Sequence, residues 1–211
     1  VYRLRETLRF DLRDSCPSTT TTTFRAATGQ RPVISAAWPV TGWTKMTARP
    51  EGCTEDVWVA DLPEGIDWIT TLYDAEGLLH RAREPGFFPL SGKGTLVSTT
   101  YKTGDVAADL DVGNAELNIV PDRPWSQNIL TITEHDAQRT TLKTAVPATY
   151  VMNPPGFGKF PRGSAFIENT LAGMQRPGNW CVNRRTRKVY LIPRAGRPGD
   201  DIVAPSLTEL I

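Results

Sequence analysis

The sequence predicts an all-β protein. Gly and Pro, 17 of each in 211 residues, are scattered along the chain rather than clustered. The segments between them are short and rich in Thr, Val, Ile, Trp and Tyr, residue types that suit a pleated, half-buried surface. In "YRLRETLRFDL" the residues Tyr2, Leu4, Leu8, Phe10 and Leu12 alternate with Arg3, Arg5, Arg9 and Asp11, the period of two that turns one face of a strand toward a core. Helix signals are weak, with room for a turn or two at 109–115 and at 169–174.

In chain order, 2–12, "TTTTTFRA" (19–26) and "PVIS" (32–35) are three short candidate strands in the first thirty-five residues. Such close spacing is compatible with successive parallel strands of a β-solenoid as well as with an antiparallel meander. A solenoid coil buries its inward face only against its neighbours, so fewer than about three coils leave a core open. After Trp43 the candidate strands are 57–61, 68–74 with 78–82, 96–101, 115–120, 128–134 with 140–143, and 165–169. They are separated by Pro/Gly-rich loops such as "TARPEG" and "REPGFFPLSGKG", as in a barrel or a sandwich. A boundary is therefore expected near residue 43. The last clear element is "QRPGNWCVNRRTRKVYLIP" (175–193), a strand, a polar turn and a second strand.

Charge and cysteine content narrow the function classes. Lys plus Arg total 24 against 23 Asp plus Glu, a net charge of +1, which gives no long-range attraction to nucleic acid or to an acidic membrane. No apolar run approaches the ~20 residues that span a bilayer. A soluble chain is expected, either mature or a piece of something longer, with neither nucleic acid nor membrane as partner. Cys16, Cys53 and Cys181 lack the paired spacing of a zinc site. One disulfide with one free thiol, or three buried free thiols, both fit. No metal and no cofactor are expected.

Several motifs then carry a resemblance. "FRAATGQRPVISAAWPVTGW" (24–43) resembles the rung and exit segment of right-handed parallel β-helix carbohydrate-active enzymes, close to glycoside hydrolase family 141. "VWVADLPEG" and "ITTLYDAEGLLHRAREP" (within 57–85) are similar to the start of the domain inserted into that helix. "ELNIVPDRPWSQNILTITEHDAQRTTLKT" continues the likeness, and "FIENTLAGMQRPGNWCVNRRTRKVYLIPRAG" carries an ENxL…PGxW…xLYLxP pattern as Glu168, Asn169, Leu171, Pro177, Gly178, Trp180, Tyr190, Leu191 and Pro193. The resemblance implies β-helix rungs at 1–43, an inserted antiparallel barrel or sandwich at 44–202, and a return to the helix at 203–211. It also implies a secreted or periplasmic location and a polysaccharide or oligosaccharide partner. Ala36 and Ala37 stand where the family usually has two glycines, and Asn179 where its pattern tends to have Glu.

The residues themselves are sparing with catalytic signals. Glycoside hydrolysis wants two carboxyl groups converging across a cleft at roughly 5–10 Å; Asp200-Asp201 and Glu55-Asp56 are sequence neighbours whose side chains diverge on a strand, and read as solvated loop charge. His80 and His135 sit in no nucleophile motif. "GFGKFPRGS" (156–164) lacks the ending of a phosphate loop, and "NRRTRK" (183–188) reads as a solvated hairpin tip. Trp68, Trp125 and Trp180 offer flat apolar faces that suit a pyranose, or fill a core. "HRAREP" puts Arg81 and Arg83 on one strand face, where two guanidinium forks suit a carboxylate or sulfate on a polysaccharide, or pin the insert through carboxylates.

The substrate-binding candidates are thus Arg81, Arg83, Trp68 and Trp180, with no catalytic residue assigned. The reading is a part of a β-helix glycoside hydrolase-like protein acting on complex polysaccharide. The insert shapes the cleft, the catalytic carboxylates lie outside this chain, and the chain alone is inactive. The alternative is a non-catalytic β-helix protein that binds glycans or serves at a surface or in an assembly. Association through an open helix end is expected in either case.

Overall fold

The computed structural model describes residues 1–90, 93–207 and 209–210. Positions 91–92 of the Pro/Gly-rich loop, and 208 and 211 of the expected return segment, lie outside the described residues. Among the described residues the one helical element is a 3-10 turn at Leu12–Asp14, where the Asp11 side chain accepts from the Arg13 N–H. The all-β expectation holds, and 109–115 and 169–174 form turns rather than helix.

The strands in chain order are β1 (Tyr2–Arg3), β2 (Ile34–Ser35), β3 (Ala37–Pro39), β4 (Thr44–Lys45), β5 (Trp58–Asp61), β6 (Tyr73–Asp74), β7 (Gly77–Leu78), β8 (His80–Arg81) and β9 (Arg83–Phe87). They continue as β10 (Ser98–Thr100), β11 (Glu116–Ile119), β12 (Asn128–Asp136), β13 (Thr141–Thr144), β14 (Ala165–Glu168), β15 (Asn179–Asn183), β16 (Lys188–Leu191) and β17 (Val203–Pro205). They build a two-stranded sheet β1-β2, a six-stranded sheet β10-β13-β12-β11-β14-β9, a five-stranded sheet β4-β5-β16-β15-β8 and a four-stranded sheet β3-β17-β6-β7. None of them closes into a barrel, so the barrel half of the expectation falls.

The amino-terminal segment departs from its sequence pattern. Tyr2 pairs with Ile34 and Arg3 with Ser35 in parallel, but the alternation in 2–12 yields only a two-residue strand. Leu8, Phe10 and Leu12 are exposed, and the Phe10 ring lies 4.8 Å from the Phe24 ring. Alternation marks a strand only where another layer covers the apolar face, and none does here. This single parallel pair is less than a stack of rungs. β17 lies beside β3, as the return segment should, yet the two run antiparallel, Ala204 opposite Trp38.

Two large cores and a smaller one position the rest. Leu117 and Ile119 of β11, Ile132 of β12, Leu142 of β13 and Ile167 of β14 bury one face of the six-stranded sheet. Trp180 and Val182 of β15, Val189 and Leu191 of β16, and Ala204 of β17 fill a second core on the five-stranded sheet. The loop expectation at "REPGFFPLSGKG" is corrected at its start, where 83–87 is an edge strand. Pro85 is tolerated there because an edge strand can leave one backbone side without ladder partners.

Ala82, fully buried, is the one residue between β8 and β9. Its N–H donates to the Trp180 carbonyl at 2.7 Å, and its own carbonyl accepts from the Asn169 N–H at 2.9 Å. The five-stranded and six-stranded sheets are therefore joined by a single residue. Arg81 and Arg83, expected on one strand face, belong to different sheets.

Candidate functional site

The seam at Ala82 opens into a cleft of about 660 Å³, lined by residues from β8, β9, β14 and the turn before β15. Cross-strand pairing sets its floor. Glu168 stands opposite Arg83 on one side and opposite Glu116 on the other. Because β11 and β14 turn Leu117 and Ile167 into the core, the alternating Glu116, Asn118, Phe166 and Glu168 belong to the second face of the sheet.

Arg81 is held on this face. Its guanidinium lies 3.1 Å from the Glu116 carboxylate, with 11% of the side chain exposed, and sits 5.0 Å over Trp68 and 5.2 Å over Trp180. Arg184 reaches the same carboxylate at 3.2 Å, donates to Thr131 Oγ1 at 3.2 Å and stacks 3.3 Å over Trp68. The opening residue pair therefore divides. Arg81 pins one sheet to the other, as one of its two sequence readings expects. Trp68 is half-buried beneath the two guanidiniums, and Trp180 is 1% exposed with its indole N–H donating to the Leu79 carbonyl at 3.2 Å.

Arg83 is different. Its guanidinium stacks over the Phe166 ring at 3.9 Å, and among the described residues its side chain makes no hydrogen bond or ion pair. Stacking uses the flat face of the group and leaves its in-plane N–H donors open. Arg162 and Arg176 line the same cleft, exposed and likewise without a side-chain partner among the described residues. Close backbone approach brings Arg162 there: a Cβ at Gly86 would collide with the Arg162 carbonyl, so only glycine lets the 156–164 loop lie on β9.

Two carboxyl groups line the cleft as well. Burial pushes Glu168 up, countered by Arg81, reinforced by Glu116, and countered again by Asn118 and Arg83. Burial also raises Glu84, against the Thr170 hydroxyl, which donates to it at 2.6 Å, with Asp109 adding to the rise. Glu116 behind them is raised by burial against Arg81 and Arg184.

The two asparagines of the resembling motif have structural employment. Asn169, buried with φ +62°, donates through its amide to the carbonyls of Asn114 at 2.8 Å and Val182 at 2.9 Å, and accepts from the Val182 N–H at 2.8 Å. Asn179 accepts from the N–H of Arg176 at 3.1 Å and of Gln175 at 3.3 Å and donates to the His80 carbonyl at 3.4 Å. An ionised carboxylate at 179 has no donor for that last bond.

His80 lines the cleft, whereas His135 bonds the Tyr101 hydroxyl at 2.6 Å elsewhere on the six-stranded sheet. Trp125, 64% exposed, leans on Tyr150 and Phe157 outside the cleft. Glu84, Glu168, Arg162 and Arg176 were not singled out as site candidates by sequence reading. The pairings that assemble them, such as His80 with Asn179 and Arg83 with Glu168, join residues more than eighty positions apart and leave no local signal.

A solved structure titled "Glycoside hydrolase" is similar to this chain, with a TM-score of 0.56 and 18% identity. The similarity is one of fold. It covers 84% of this chain and 32% of the other, so this chain spans about a third of that protein's length. No protein-family profile and no curated protein matches.

Proposed function

We propose that this chain is the cleft-forming part of a carbohydrate-active protein of the glycoside hydrolase kind, acting on complex polysaccharide outside the cell or in the periplasm. The observation that carries the reading is the cleft at the Ala82 seam. It is open and walled by two sheets, with Arg81 held in one wall by Glu116 and Arg83, Arg162 and Arg176 displayed into it. The fold likeness to a glycoside hydrolase supports the same class. In this reading 1–43 and 203–211 belong to a larger parallel β-helix and 44–202 is its insert. The parallel pairing of β1 with β2 supports that division, whereas β3 and β17 are adjacent but antiparallel and bear only on the chain's return to the same place. The catalytic carboxylates come from beyond these 211 residues, and Arg81 and Arg83 serve the cleft, the first by fixing its wall and the second by facing ligand.

The test is binding and turnover by the purified chain on a panel of plant and algal polysaccharides. Retention of a glycan without hydrolysis is expected. A folded chain that retains none of them overturns the reading. Turnover abolished by changing one Asp or Glu of this chain overturns its last part.

A further inference from the structure

The cleft carries a charge excess that the chain as a whole does not have. Net charge over 211 residues is +1, yet four arginines and two glutamates line this one cleft. Arg81 is already neutralised by Glu116. The lining carboxyl groups have other neighbours: Glu84 accepts from the Thr170 hydroxyl at 2.6 Å, Glu168 stands across the strand from Glu116, and neither has an arginine within 4.0 Å among the described residues. That leaves Arg83, Arg162 and Arg176, three guanidiniums with no side-chain partner among the described residues, facing a common space. Arg9, Arg25, Arg31, Arg123 and Arg197 likewise have no carboxylate within 4.0 Å among the described residues, so what sets Arg83, Arg162 and Arg176 apart is that they face one cleft.

We propose that the cleft selects anionic glycans, with the anionic group of a pyranose, carboxylate or sulfate, taken by Arg83 and flanked by Arg162 and Arg176. The proposal rests on the glycan reading above. Arg83 is the anchor because its guanidinium lies against the Phe166 ring, 3.9 Å from its centroid, with no competing side-chain partner among the described residues. The fork then presents two parallel N–H donors in the geometry that a carboxylate or a sulfate edge accepts bidentately. Arg162 and Arg176 come from opposite walls, one on the loop admitted by Gly86 and the other on the turn that Asn179 holds. A chain of charged sugars lying along the seam meets a positive group on either side of the anchor. Neutral polysaccharides lack the partner for all three.

Isothermal titration of the 211-residue chain with polygalacturonate, its methyl ester, dextran sulfate, dextran and polyglutamate tests this. Polygalacturonate or dextran sulfate should bind at least about ten-fold tighter than its uncharged counterpart, and whichever does identifies carboxylate or sulfate as the recognised group. The combined variant Arg83→Ala, Arg162→Ala, Arg176→Ala should lose that preference with an unchanged melting temperature, since all three side chains are exposed. Arg83→Lys should keep the charge and still lose most of the preference. Equal binding of charged and uncharged glycans, unaltered by the triple change, overturns the proposal and leaves the glycan reading standing. Absence of binding to every glycan overturns both. Binding of polyglutamate as tight as that of polygalacturonate overturns the proposal by reducing the cleft to a general anion sink.

Discussion

Glu116 and Glu168 are direct cross-strand partners on β11 and β14, two carboxyl groups facing the same side of one sheet, both buried. Like charges placed directly opposite destabilise a sheet pair, and here Arg81 is the group that offsets them, 3.1 Å from Glu116 and also lowering the Glu168 carboxyl.

Stability should fall as pH rises through the carboxylate range. Both glutamates are held above the ordinary value of about 4.3, principally by burial. The folded state thus binds more protons than the unfolded one between that value and their folded values. The stabilisation is complete below the unfolded pKa and is lost as pH climbs through the folded pKa. Chemical denaturation from pH 4 to 7 should show this downward slope, and Glu168→Gln should flatten it.

Arg81→Ala should destabilise by about 2–4 kcal/mol, because it leaves a buried carboxylate with Arg184 alone and uncovers Trp68. Arg83→Ala should change stability by less than about 0.5 kcal/mol, its side chain being exposed and bound only to a ring face. Urea melts of the two variants separate the pinning arginine from the displayed one. Equal losses would contradict the division.

Asn169→Ala should cost about 3 kcal/mol or more, since it removes three buried hydrogen bonds and puts a Cβ-bearing residue with no local side-chain bond in the left-handed region. Asn169→Gly should recover part of the loss by relieving the backbone while leaving the same carbonyls without a donor. The order of melting temperatures, wild type above Gly above Ala, is the check.

Thiol titration should find one reactive cysteine in the folded protein and three on unfolding. Cys16 is exposed, and the Thr22 hydroxyl followed by Thr20 holds its thiol below the usual value. Cys181 is buried, and its thiol is pushed up to about 12 by desolvation. Cys53 is buried with it in one cluster. Ellman's reagent reacting quickly with two or more native thiols would refute this.

Much of the strand inventory was legible because it rests on local alternation. The stretches around Trp58–Asp61, Glu116–Ile119, Asn128–Asp136 and the Asn179–Leu191 hairpin all appear within a few residues of their expected positions. The misreading at 2–12 has the opposite cause. Alternation reports that a strand has an apolar face, not that a second layer arrives to cover it, and Leu8 and Phe10 are left exposed. Arg81 and Arg83 were legible as candidates from their spacing alone, but the break at Ala82 that sends one to Glu116 and the other to Phe166 arises from hydrogen bonds to Trp180 and Asn169, both far along the chain. Trp180 could not be assigned between core and ligand from its neighbours, since both uses favour a flat ring among β residues. Only strand pairing places its N–H against Leu79.

The single-residue crossing at Ala82 also decides when the cleft becomes ordered. With no slack between the sheets, and with both peptide groups of that residue tied to distant strands, the walls have no hinge about which to open or close. The entropy of fixing the backbone of the walls is lost once, when the chain folds, and what remains to be lost when a ligand arrives is that of exposed side chains such as Arg162 and Arg176. Under the proposed glycan reading, recognition at this seam is a matter of fit to a standing backbone frame, and discrimination between ligands should show itself in how fast they leave rather than in how fast they enter.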